Sequence, residues 1–175
     1  MKKSQFLFGA LAFGALALTS CNDDDNKNTS GIAGTYSLQE VNTQTQTDFN
    51  QDGTSSTNQK QETSCYNNGR ITLNTDGTLK YVVTGVLIGA SDGSVGCKTD
   101  YEASGQWQTQ TGNDENAVIS AVYTDQNGDD TVITLTKIGR ELSLEQNNIL
   151  SNYPDRNANG EPFYRSGSVT YVFRK

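Results

Sequence analysis

The chain of 175 residues carries 13 Lys and Arg against 20 Asp and Glu, with no His, for a formal net charge of −7. Acid excess of this size is repelled by phosphate backbones and anionic headgroups, which argues against nucleic acid as a partner, although it also serves plain solubility. With 33% hydrophobic residues and abundant Gly, Asn, Thr, Ser, Gln and Asp, the composition suits a thin all-β domain with many turns better than a helical core.

Met1-Lys2-Lys3 is a short basic start, and residues 6–18 form an apolar run of about a dozen residues. That is signal-peptide length and too short to span a bilayer. Leu18-Thr19-Ser20-Cys21 follows at once. Basic start, apolar run and a Leu, two small residues and Cys resemble the signal and lipobox of bacterial lipoproteins. The resemblance implies cleavage before Cys21, acylation of Cys21 and a membrane partner reached through that N-terminal lipid. An ordinary secretory peptide, leaving Cys21 as a free thiol, is the other reading. Residues 22–31 are polar and free of apolar side chains, the composition of a flexible tether. Its acidic run, Asp23-Asp24-Asp25, resembles the export signal of surface-exposed lipoproteins in Bacteroidetes-type bacteria. That likeness implies an outer-membrane lipoprotein displayed on the cell surface, with a periplasm-facing anchor as the alternative. The expected organisation is a signal peptide over 1–20, an acylated Cys and tether over 21–33, and one β domain over 34–175.

Short β-like segments separated by turn residues follow from Gly34 onward. Residues 34–41 carry Tyr36 and Leu38 among polar neighbours. Ile71 and Leu73 alternate with Thr72 and Asn74, Thr75-Asp76-Gly77 turns the chain, and Leu79, Tyr81 and Val83 resume the period of two. This is the clearest hairpin, because Asp-Gly supplies the positive φ that tight turns need. Tyr101, Ala103, Gly105 and Trp107 form a further stripe, and residues 118–123 follow. A polar turn over 125–130 leads into Val132-Ile133-Thr134-Leu135, and a turn over 138–141 leads into Leu142 and Leu144. Val169, Tyr171 and Phe173 make the last strand. About eight strands linked by short turns predict a small antiparallel up-and-down barrel, with a β-sandwich as the competitor. Gly85, Gly89 and Gly105 fit close approach or bending within strands.

Gly34-Thr35-Tyr36-Ser37-Leu38 resembles the opening strand of lipocalin-like domains, with Tyr36 where Trp is usual. Asp48-Phe49-Asn50-Gln51-Asp52-Gly53, Cys65 and Ile71-Thr72-Leu73-Asn74-Thr75-Asp76-Gly77-Thr78 follow in an order similar to lipocalin-like lipoproteins of the Bacteroidetes type. The resemblance spans most of residues 34–175 on short motifs. It implies a small barrel and assigns no ligand.

Cys65 and Cys97 remain as an even pair in an oxidising compartment and are expected to form one disulfide, with two buried free thiols as the alternative. Asp48, Asn50, Asp52 and Gly53 match the start of a D-x-[DN]-x-[DN]-G calcium loop, whose alternate oxygens converge on a hard cation. Gln59 stands where the bidentate Glu belongs. Asp155, Asn157 and Asn159, and again Asp125, Asn127 and Asp129, repeat the opening less completely. Asn, Asp and Gly are also the commonest turn residues, so calcium and turn chemistry both stand.

Enzyme signatures are absent from the sequence. Without His there is no Ser-His-Asp or Cys-His arrangement and no imidazole zinc site. Glu40, Glu102, Glu141 and Glu145 could in principle serve as a carboxylate pair, but nothing in the linear order pairs them. Tyr81, Tyr101, Trp107 and Tyr123 lie on stripes whose inward sides would line a barrel interior, suiting a small ligand or a sugar face. They serve equally as core filling. Tyr153-Pro154 and Pro162-Phe163-Tyr164 are candidates for an exposed recognition rim. The expected function is a non-catalytic lipoprotein binding a small molecule or glycan. The alternatives are a filled barrel contacting a protein partner and, more distantly, a carboxylate hydrolase.

Overall fold

A computed structural model of the chain describes residues 31–89, 93–146 and 152–175; the expected signal peptide, Cys21 and the tether up to residue 30 lie outside them. Among the described residues the strands are β1 (Gly34–Thr47), β2 (Ser56–Asn58), β3 (Arg70–Leu73), β4 (Thr78–Val83), β5 (Val86–Ile88), β6 (Val95–Cys97) and β7 (Tyr101–Gly112). They continue with β8 (Asn116–Thr124), β9 (Asp130–Ile138), β10 (Glu141–Gln146), β11 (Asn152–Arg156), β12 (Pro162–Ser166) and β13 (Val169–Arg174). A single helical turn, α1 (Gln59–Glu62), precedes a 3-10 turn, Ser64–Tyr66.

Strands β1, β3, β4, β7, β8, β9, β10 and β13 pair antiparallel in that order, and β13 pairs back onto β1. The result is a closed eight-stranded up-and-down barrel, as the turn spacing predicts, and not a sandwich. The period-2 pattern sets its two faces. Ile71, Leu73, Leu79, Ala103, Ile119 and Leu135 are buried inside, while Gln106, Gln108, Thr134 and Thr136 face out. An apolar interior with a polar wall is the reverse of a membrane-spanning barrel, whose apolar band faces lipid.

Closure depends on β1. Its first residues pair with β3, from Gly34↔Leu73 to Ser37↔Arg70, and its middle pairs with β13, from Ser37↔Arg174 to Thr43↔Val169. Between Leu38 and Glu40 the register shifts by a bulge. The extra residue, exposed Gln39, resets the side-chain phase, so Tyr36 and Leu38 before it and Val41 after it are all buried. This strand is longer than the 34–41 segment legible in the sequence. Its continuation, Asn42-Thr43-Gln44-Thr45-Gln46-Thr47, has no apolar side chains to betray it.

The two ends of the barrel differ. At the base, where the N-terminal chain arrives, Ile32 is buried and accepts the Tyr36 phenol on its carbonyl at 2.5 Å. Lys137, also buried, donates its ammonium to the carbonyls of Asp114 and Gly139. The Trp107 indole N–H donates to the Asn74 carbonyl at 3.0 Å. The turns here are short, as in Thr75-Asp76-Gly77, where Gly77 takes φ +82 and Asp76 Oδ1 accepts the Thr78 N–H.

At the mouth the connections are long and fold over the opening. Hairpins β5–β6 and β11–β12 lie side by side there, joined through the Tyr164 hydroxyl, which donates to the Val86 carbonyl at 2.9 Å and accepts the Ile88 N–H at 3.1 Å. Arg156 fastens β11 to the loop between β1 and β2, with Nε donating to the Phe49 carbonyl at 2.8 Å and its guanidinium 5.1 Å from the Phe49 ring centre. Phe49, Tyr66, Val86 and Tyr153 are buried beneath these segments as an extension of the core. Tyr153 and Pro154 are therefore interior residues and not the exposed rim expected of them, because the hairpin lies down on the barrel; Phe163 and Tyr164 do remain exposed.

Cys65 and Cys97 form the disulfide, tying the 3-10 turn to β6. Closing a loop of sequence separation 32 stabilises the fold by roughly 3–4 kcal/mol in the chain-entropy model. Among the described residues hairpin β5–β6 is otherwise joined to its surroundings through the Tyr164 hydroxyl and buried Val86, so replacing both cysteines with Ser should lower the melting temperature and speed amide hydrogen exchange over 86–88 and 95–97. Exchange in β7–β10 should stay slow, and loss of protection across the whole barrel would contradict this division.

Burial pushes the phenols of Tyr36 and Tyr171 up to about 12. In the unfolded chain they titrate near 10, so between these values the unfolded state has lost protons that the folded state keeps. Stability should be complete below about pH 10 and fall as pH rises towards 12. Phenolate absorbance and circular dichroism should then change together for the buried tyrosines.

Candidate functional site

A cleft of about 600 Å³ opens at the mouth between hairpin β5–β6 and the upper ends of β4, β7 and β8. Val83, Tyr101 and Tyr123 form its barrel side, Leu87, Lys98 and Thr99 its hairpin side, and residues 125–127 its rim. The volume falls within the usual range of small-ligand sites.

Strand register brings the barrel side together. Tyr101 opens β7 directly opposite Val83, and Tyr123 sits on β8 opposite Gly105. Gly105 is required at this crossing, because a Cβ there would lie 1.9 Å from the Val122 carbonyl oxygen. The Tyr101 hydroxyl donates to the Thr124 carbonyl at 2.9 Å. Burial raises the Tyr123 phenol's pKa, with the neighbouring Thr131 side chain opposing that rise. Tyr123 also packs edge-on against Tyr81, with ring centres 5.5 Å apart. Tyr101 is thus held by strand position and its hydroxyl, and Tyr123 by strand position and ring packing.

The four aromatic residues proposed from sequence as a lining separate into two pairs. Tyr101 and Tyr123 reach the cleft. Tyr81 and Trp107 are core residues, with Trp107 towards the base. The difference follows from height along the barrel axis, which a period of two does not report. Leu87, Lys98 and Thr99 were not legible as site residues. The one signal for Leu87 is an apolar triplet, Val86-Leu87-Ile88, set between Gly85 and Gly89; in the fold Leu87 is 52% exposed.

The three Asp/Asn loops are organised by their own hydrogen bonds. Asp48 accepts the N–H groups of Asp52 and Gly53, each at 3.0 Å. Asn50 Oδ1 accepts the Asp52 N–H, while Asp52 accepts from Thr54 N–H and from the Asn50 amide. Buried Glu62 accepts the Phe49 N–H at 2.9 Å from behind this loop. Asp125 Oδ1 accepts N–H groups from Asn127 and Asp129, and buried Asp155 is engaged by Arg165 at 2.6 Å. Among the described residues no group of three or more His, Cys, Asp or Glu is placed to hold a metal ion.

Of the four glutamates weighed for catalysis, Glu40, Glu102 and Glu141 hold ion pairs. Glu102 meets Lys80 at 3.0 Å and Arg70 at 3.6 Å, and Arg174 bridges Glu40 at 2.8 Å and Glu141 at 3.2 Å. Asn42 and then Arg174 hold the Glu40 carboxyl below its usual range. A second cleft, of about 420 Å³, lies at the base between Ile32 and residues 109–115, where the N-terminal chain enters. It lacks an aromatic wall.

No family model, curated protein or solved structure matches the chain.

Calcium at the 48–53 loop would have to displace hydrogen bonds already made to backbone N–H groups. Millimolar calcium should therefore leave the melting temperature unchanged. A rise that disappears in Asp52→Ala would instead make this loop an ion site.

Proposed function

We propose that the chain is a lipid-anchored lipoprotein of the outer membrane, similar to lipocalin-like lipoproteins, whose mouth cleft binds a small molecule or glycan without transforming it. The observation that carries this reading is the cleft itself: a concave, partly aromatic surface on a rigid barrel, with polar side chains gathered along one rim. The ligand lies at the mouth and not along the barrel axis, because the axis is filled by packed side chains.

The position of the anchor supports the same reading. Residue 31 stands at the base, next to Asp114. A tether leaving from there, acylated at Cys21, would hold the base towards the membrane and turn the mouth outward. The lack of His in the chain and the ion pairs that occupy Glu40, Glu102 and Glu141 support reading the cleft as a binding site and not a catalytic one.

One observation favours a second reading, a protein-interaction module. Leu87, Val95, Phe163 and Tyr164 are exposed apolar or aromatic residues on the two mouth hairpins. Single exposed apolar residues are common, so they weigh less than the cleft.

Two measurements test the proposal. Intact mass of protein extracted from membranes should show loss of residues 1–20 and added acyl chains; a soluble, unmodified chain would remove the anchor. A small-molecule fragment screen by amide NMR should produce shifts clustered at residues 83–87, 98–101 and 123–127. Shifts confined to β12 and β6 on adding candidate protein partners, with the cleft silent to every fragment, would favour the second reading.

A further inference from the structure

The surface of the cleft narrows the chemistry of what it can hold. Tyr101 spends its hydroxyl on the Thr124 carbonyl and Tyr123 is held edge-on against Tyr81, so towards the cleft the two tyrosines offer chiefly the carbon of their rings. Val83 and the half-exposed Leu87 extend that apolar surface. The rim is of another kind: Lys98 supplies donors, Asp125 acceptors, and Gln126 and Asn127 both.

Several ligand classes fit this surface badly. A lipid or other wholly apolar molecule needs most of its surface covered, and this is an open notch above a filled interior. An anion would find one ammonium, Lys98, facing Asp125, with Asp129 and Asp130 next along the chain. A cation would be opposed by Lys98 itself. A ligand that has an apolar face, no net charge and hydroxyls that both donate and accept around its edge matches floor and rim together. That description is a pyranose.

We infer that the mouth cleft takes a neutral saccharide, one or two rings laid against Tyr101 and Tyr123 with their hydroxyls towards Lys98 and residues 125–127. This rests on the cleft being the binding site, as proposed above. The open side of the notch leaves a path for the rest of a longer glycan.

The test uses the full chain in detergent micelles, with cellobiose, maltose and lactose as neutral probes, and an acidic uronate disaccharide and hexylamine as charged ones. At least one neutral disaccharide should give saturable amide shifts over 98–101 and 123–127 at millimolar concentration, with the charged probes weaker. Tyr101→Ala should weaken that binding by about tenfold, the loss expected when one aromatic contact is removed. Leu87→Ser, at an exposed position that leaves the barrel intact, should weaken it in the same direction and guards against a Tyr101 variant that does not fold. Saturable shifts from the uronate or the amine alone would overturn the saccharide assignment and leave the cleft a binding site. Silence from all five probes, while other fragments shift the cleft amides, would do the same; a cleft silent to everything would remove both claims. Saccharide binding unchanged by both variants would place the sugar elsewhere and overturn the inference.

Discussion

Every strand of the barrel has two neighbours only because β1 serves β3 with its first residues and β13 with its middle. A straight strand of constant phase could not do this and keep its apolar residues inside. The bulge between Leu38 and Glu40 supplies the change of phase and the local bend. The seam is fastened by neighbours on both sides. Leu38 N–H donates to the Gly69 carbonyl, Lys60 reaches the Leu38 carbonyl, and Arg174 spans Glu40 and Glu141 across three strands. With the ring closed, the core strands have no free edge to pair with another chain, and their inward side chains form one continuous core.

A closed ring leaves only its two ends free to vary, and this molecule uses them differently. The base has tight turns and buried plugs, Ile32 and Lys137 among them, and receives the N-terminal chain. The mouth carries the long connections, whose backbones must find partners outside the barrel ladder. They find them in each other, through Tyr164 between hairpins, Arg156 onto Phe49, and the Cys65–Cys97 bridge. The cleft is the space left where the pinned hairpin β5–β6 stands off from the rigid ends of β7 and β8. One wall is thus fixed by strand pairing and the other by a covalent bond, a preorganised arrangement for recognition.

Much of the barrel was readable in the linear chain, since period-2 stripes report directly which side of a strand is buried. Ile71 and Leu73, Leu79 and Tyr81, Leu142 and Leu144 each fall inside as their alternation requires. The polar half of β1 and the short strands β5, β6, β11 and β12 were not readable. Their residues carry no stripe, and they are held by hydrogen bonds and a disulfide formed with segments distant in sequence. The site was half legible for a related reason. Tyr101 shares its stripe with Trp107, and Tyr123 and Tyr81 lie on similar inward stripes of β8 and β4, so only their level in the barrel distinguishes a cleft residue from a core residue.

What the sequence alone determined was an all-β chain of short antiparallel strands, because local alternation reports it directly; the Cys65–Cys97 bridge was an expectation that depended on setting Cys21 aside, and the structure supplies it. Fold closure, the filled interior, the opposed roles of base and mouth, and the meeting of Leu87 and Lys98 with Tyr101 and Tyr123 were decided by tertiary structure. Those outcomes depend on strand register and on contacts between residues far apart in the chain, and neither leaves a periodic mark on the order of amino acids.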